Sequence, residues 1–323
     1  MAPDPAVVFT PHFPESAPMP YAAWRFAGRP LSQDATVKEV LAEASVDKLR
    51  QTVAHLVTYN NRYYLSETGR ASILWYAQQF KDIAAAARRD DVEVVLQEHR
   101  PITDPRAQPT LIVRIKGQGP LASERIIVGT PGDCINSTTG MRTINDPCPG
   151  ADDNASGMAV VLESYRVLIA KGIKPARTLE FMAYAGEELG LIGAHYVAES
   201  YKVHNVDVAA VLQLEGTMGP GIDPKIALVS DYTHKDVSEF LGRIIQKHLD
   251  VPFVMSACNY GCSDHAAWRI RNFPVGFPFS EIIGNDNPRA HTPNDTIDTV
   301  SFVHGMRFTR ITLAFLIELG LAP

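Results

Sequence analysis

Leu179-Glu-Phe-Met-Ala-Tyr-Ala-Gly-Glu-Glu-Leu-Gly-Leu191 decides the fold class. Leu179 to Tyr184, apolar apart from Glu180 and closed by a glycine turn, reads as a strand. A helical pattern follows from about Leu189 to Ser200, and Val208 to Leu214 is a second apolar run. Outward from this unit, Val92 to Leu96, Leu111 to Ile115, Ile126 to Val128, Ile226 to Val229 and a run near Phe273 to Phe277 read as further strands. Helices are predicted over Ala155 to Ala170, Val237 to His248 and Phe302 to Leu319. Strands alternating with helices predict an α/β fold: a single globular domain whose largely parallel central β-sheet is covered by helices on both faces.

Before this alternation, Asp34 to Ala87 is helical in pattern. Val37, Val40 and Leu41 recur at helical spacing, as do Leu49, Val53, Leu56 and Val57. Ser45 is a candidate N-cap, and a third helix is expected from about Arg70 to Ala87. Residues 1–33 are rich in proline, which removes donors and blocks helix, so they read as an extended arm outside a domain of residues 34–323. Trp24 and Phe26 are the residues expected to pin the arm to the body.

The chain has 323 residues and a formal charge of −6, which argues against nucleic acid as a partner. No apolar run is long enough to cross a bilayer; Ile311 to Leu321 is broken by Glu318. No signal peptide is visible in the sequence. Cys134, Cys148, Cys258 and Cys262 form two close pairs, which fit two disulfides and an oxidising compartment; four thiols or a small metal knot is the alternative.

Carboxylates gather where the predicted strands end. Asp133 follows the strand ending near Gly129, Glu187 and Glu188 follow Tyr184, and Glu215 follows Leu214. Asp152 and Asp153 precede a helix. Ligands of open α/β sheets bind outside the carboxyl ends of the strands. Carboxylates in one crevice repel, and a divalent cation holds them together; His291 adds the nitrogen that zinc prefers. Each residue also has an ordinary explanation: helix-start charges for Glu187 and Glu188, and capping for Asp152, Asp153 and Asn154.

Three motifs are more specific. Pro149-Gly-Ala-Asp-Asp-Asn-Ala-Ser-Gly157, Phe181-Met-Ala-Tyr-Ala-Gly-Glu-Glu-Leu-Gly-Leu191 and His291-Thr-Pro-Asn-Asp-Thr296 resemble the metal-binding blocks of the M28 zinc aminopeptidases. The likeness is to the secreted bacterial leucine aminopeptidases of the Vibrio (Aeromonas) proteolytica type. Leu212-Gln-Leu-Glu215, Ser230-Asp-Tyr-Thr233, Cys258-Asn-Tyr-Gly-Cys-Ser-Asp-His265 and Asn61-Arg-Tyr-Tyr64 extend it, from about Asp34 to Gly320. The resemblance implies that Asp153 bridges two zinc ions, that Glu188 and His291 complete the first site, and that Glu187 is the general base. It implies that Glu215 stands for an aspartate on the second zinc and that Asp133 orients that zinc's histidine. It also implies a Cys258–Cys262 disulfide, with Tyr260 lining the substrate site and stabilising the oxyanion.

Two departures bear on the expectation. The family's Gly-x-His-x-Asp-Ser stretch is here Gly129-Thr-Pro-Gly-Asp-Cys134, so Pro131 stands where the second zinc's histidine belongs. Glu215 is one methylene longer than the usual aspartate. One tight Zn2+ site is expected and a second is doubtful. Cys134 to Cys148 is expected to be a disulfide-closed loop, and Gly216 to widen the pocket formed near Tyr260, Phe277 and Phe279. The implied function is metal-dependent hydrolysis of the N-terminal peptide bond of peptides with a free α-amine. The alternatives are a one-zinc transferase like glutaminyl cyclase, or a catalytically impaired binding protein of the same fold. The expected molecule is a secreted or periplasmic monomer whose partner is a peptide.

Overall fold

In a computed structural model, residues 23–99, 104–138, 144–221, 225–249 and 251–321 are described. The expected arm therefore lies outside the described residues as far as residue 22. The helices are α1 (Asp34–Leu41), α2 (Val46–Leu56), α3 (Glu67–Ala86), α4 (Gly157–Ala170), α5 (Ile192–Val203), α6 (Lys235–His248), α7 (His265–Arg269) and α8 (Phe302–Gly320). The strands are β1 (Val92–Gln97), β2 (Thr110–Ile115), β3 (Arg125–Pro131), β4 (Thr178–Tyr184), β5 (Val208–Gln213), β6 (Ile226–Val229), β7 (Phe253–Ser256), β8 (Val275–Gly276) and β9 (Pro278–Phe279).

The main sheet has the order β1-β2-β4-β3-β5-β8. Its β4, β3, β5 and β8 are parallel, while β1 and β2 join antiparallel at one edge. A smaller sheet runs β7-β6-β9. Period-two alternation sends side chains to both faces. Leu111, Val113, Ile126, Val128, Leu179 and Phe181 pack into one core with α2, α3, α4, α6 and α8. Ile112, Ile127, Met182 and Tyr184 pack on the other face against α5 and α7, including Trp268. Both faces are covered, which is why these strands are almost uniformly apolar.

Trp24 and Phe26 are each 5% exposed. The Trp24 indole N–H donates to the Ala209 carbonyl at 2.7 Å, and its ring meets Phe240 edge-on. Residues 23–33 are thus fastened across α6. Ser45 stands at the N-cap of α2, but its side chain makes no capping bond; its backbone N–H instead donates to Glu163 at 2.7 Å.

The cysteines divide. Cys258 and Cys262 are bonded. Cys134 and Cys148 are free buried thiols, which corrects the expectation of a second disulfide. The Cys134 thiol donates to the Cys148 carbonyl at 3.1 Å, and the Cys148 thiol to the Ile135 carbonyl at 2.9 Å. Hydrogen bonds, not a covalent link, join these two segments.

Candidate active site

The parallel strands β3, β4 and β5 have their carboxyl ends on the same side of the main sheet, and the loops leaving them carry Asp133, Glu187 and Glu188, and Glu215. Gly186 lies in the left-handed region at φ 64, which lets the chain leave β4 in a sharp turn. The turn aims two amides at one carboxylate: Asp133 accepts the N–H of Glu187 at 2.9 Å and of Glu188 at 3.4 Å. Asp133 therefore braces the Glu187–Glu188 turn from within, where the resemblance implied contact with a histidine. Its burial, and then Glu188, push its pKa up to about 8.

Asp152 and Asp153 point to different ends. Asp152 is buried, accepting Met218 N–H at 3.0 Å and the Asn287 side-chain amide at 3.2 Å. Asn154 caps α4 through Gly157 N–H at 3.2 Å, and its amide N–H groups reach the Thr130 hydroxyl at 2.7 Å and the Pro131 carbonyl at 3.2 Å. Asp153 faces the cleft. His291 Nε2 lies 2.9 Å from Asp153 and 3.2 Å from Glu188. One donor atom from each of Asp153, Glu188 and His291 lies within 4.8 Å of the others. The His291 side chain is 45% exposed, so this group opens to solvent. Asp153 foremost drives the His291 pKa up to about 12.

Glu215 sits beside this group. One of its oxygens accepts the Ser263 hydroxyl, which in turn receives the Gln213 amide at 2.9 Å. Burial, then Asp153, raise its pKa. Burial, then Glu215 and Glu188, raise that of Glu187. Tyr260 is 64% exposed between the bonded cysteines and lies in the electrostatic field of Glu215, Glu187 and His291. Its loop hangs on Asp231, which accepts Cys258 N–H at 3.0 Å and Asn259 N–H at 2.5 Å.

Some residues escaped sequence reasoning. Asp264 is fully buried and acts electrostatically on both Glu187 and Glu215. Asp264 and Ser263 stand in a quoted motif, but nothing local marks their direction. The expectation for Gly216 is corrected. A Cβ there would lie 2.5 Å from the Phe279 ring, so Phe279 fills the space the glycine leaves. Phe277 is 2% exposed and belongs to the core, beside Cys258.

The residues fit one cation. Two carboxylates and an imidazole converge, and oxygen with nitrogen is a donor set that suits zinc. Pro131 offers only its carbonyl, and Asn154 takes it. Three converging donors with an open side, a fourth carboxylate alongside, and a position at the strand ends make this a candidate metal centre on an α/β protein.

The chain belongs to peptidase family M28, whose model matches residues 110–316. A probable leucine aminopeptidase of Arthroderma otae is 34% identical over 293 residues, 89% of this chain and 76% of its own. LapB of Legionella pneumophila superimposes with a TM-score of 0.83 at 32% identity, covering 93% of this chain and 79% of that one. LapA aminopeptidase of the same organism gives a TM-score of 0.83 at 29% identity, over 91% and 76%. The α/β architecture with its mostly parallel sheet is that of the family. Among the described residues, no helix is long and apolar enough to cross a membrane.

Proposed function

We propose that this chain is a secreted, monomeric zinc aminopeptidase that hydrolyses the N-terminal bond of peptides with a free α-amine, using one tightly held zinc. The observation that carries the reading is the convergence of Asp153, Glu188 and His291 with Glu187 alongside. Zinc held there supplies Lewis acidity toward water and the scissile carbonyl. Glu187 takes a proton from the attacking water on its carboxylate and returns it to the leaving amine. Tyr260 donates its phenol hydrogen to the developing oxyanion. Glu215, anchored by Ser263, turns its remaining oxygen to the substrate's α-ammonium group. Asp133 fixes the turn that sets Glu187 against Glu188. A second zinc is not required, and Pro131 is the reason for assigning only one.

The test is Glu187→Gln, assayed on leucyl-p-nitroanilide with zinc measured on the same sample. The expected result is an unchanged zinc content near one per chain and a fall in kcat of about 10²- to 10⁴-fold. A variant as active as the parent overturns the role of Glu187. A parent that holds zinc yet cleaves no aminoacyl substrate overturns the hydrolase reading.

A further inference from the structure

Asp295 stands four residues beyond His291 and is fully buried. Its carboxylate accepts the Asp152 N–H at 3.0 and 3.1 Å and the Asp153 N–H at 2.9 Å. Its backbone carbonyl accepts Ala151 N–H at 3.0 Å. One residue thus grips the segment that carries Asp153 from both its side chain and its main chain. On its own side, Asp295 closes the turn that begins at Thr292, directly after His291, its N–H donating to the Thr292 carbonyl at 3.3 Å. His291 adopts the left-handed region at φ 58, a costly conformation for a residue other than glycine that persists only where the surroundings enforce it. Its carbonyl is held by Ser137 N–H at 2.9 Å. Arg62, fully buried, donates to the Pro149 and Gly150 carbonyls at 2.6 and 2.7 Å, and its charge offsets that of Asp295.

We propose that Asp295 is a positioning residue that fixes the Asp153 backbone against the His291 turn, so that these two donors meet one cation at a preset spacing; this rests on the zinc-site reading above. It touches neither substrate nor cation. Groups that orient metal ligands from behind typically change metal affinity about 10- to 100-fold when removed. Here the link acts on a ligand's main chain. The carboxylate orients the peptide that carries Asp153 and leaves both Asp153 oxygens to the cleft.

The experiment compares zinc affinity, by competition with a chelator, in the parent, Asp295→Asn, Asp295→Ala, Asp298→Asn and His291→Ala. Near-ultraviolet circular dichroism and the zinc-free thermal midpoint are recorded for each. Asp295→Asn keeps the shape and one acceptor oxygen, so it remains informative where Asp295→Ala fails to fold. The expected result is zinc affinity weakened about 10- to 100-fold in folded Asp295→Asn. Asp298→Asn should match the parent throughout. Parental zinc affinity in Asp295→Asn, with zinc lost in His291→Ala, overturns the positioning role alone. So does a lower zinc-free midpoint with no loss of affinity in the folded fraction. Parental affinity in His291→Ala as well overturns the zinc site and the proposal with it.

Discussion

At Gly216 the backbone lies at φ 53 and a Cβ would meet the Phe279 ring at 2.5 Å. Gly216→Ala faces both backbone strain and a clash, and should cost about 1–3 kcal/mol. Denaturant midpoints check this; an unchanged midpoint would mean that Phe279 swings aside freely. The same glycine shows where single-residue reading stops. Its absent side chain suggested empty space, and only the fold brings Phe279 over it. The zinc-type donors were legible because each sits in a local motif with a fixed spacing. Asp295 belongs to one of those motifs, yet its role depends on amides of a distant segment, and no local pattern carries such a bond. Ser263 and Asp231 are of the same kind: each acts on a group remote in the chain.

Elements were easier to read than their partners. The strands at the centre of the main sheet are buried on both faces, so their apolar runs stand out against the turns around them. β7 escaped because Phe253–Ser256 is only partly buried and pairs with a single neighbour. α7 spans five residues, too few for a helical period to register. The helix predicted from about Leu189 begins instead at Ile192, because Glu187–Leu189 winds as a tight single turn that presents the two glutamates. The segment before α1 is held by the Trp24 indole and, nearer the helix, by Ser32 and Gln33 N–H groups donating to Glu318 at 2.8 and 3.1 Å. Trp24→Ala removes a buried ring from between Phe26 and Phe240 and strands the Ala209 carbonyl. A loss of about 3–5 kcal/mol is expected from the midpoint of unfolding. A loss below about 1 kcal/mol would show that residues 23–33 ride on the body without supporting it.

For the molecule as a whole, acid is the revealing stress. Burial lowers the His99 pKa from 6.5 to about 4 and that of His265 to about 3. Each is neutral in the folded state, while the unfolded chain takes up a proton below about pH 6.5. The stability they contribute is complete above that value and drains away as pH falls toward the folded pKa. Between pH 7 and 5 each should contribute a loss of about 2 kcal/mol. His99→Gln should flatten the parent's pH–stability slope by that amount in urea titrations at the two pH values. An identical slope would mean that His99 is charged when folded. Asp133, Glu187 and Glu215, whose pKa values burial raises, respond in the opposite sense, so the comparison is between variant and parent at fixed zinc. A last consequence follows from the two thiols at Cys134 and Cys148, sealed where the β3 loop meets the approach to Asp153. A thiol reagent can reach them only while those segments part, so the rate of labelling is a clock for how often the floor of the cleft opens.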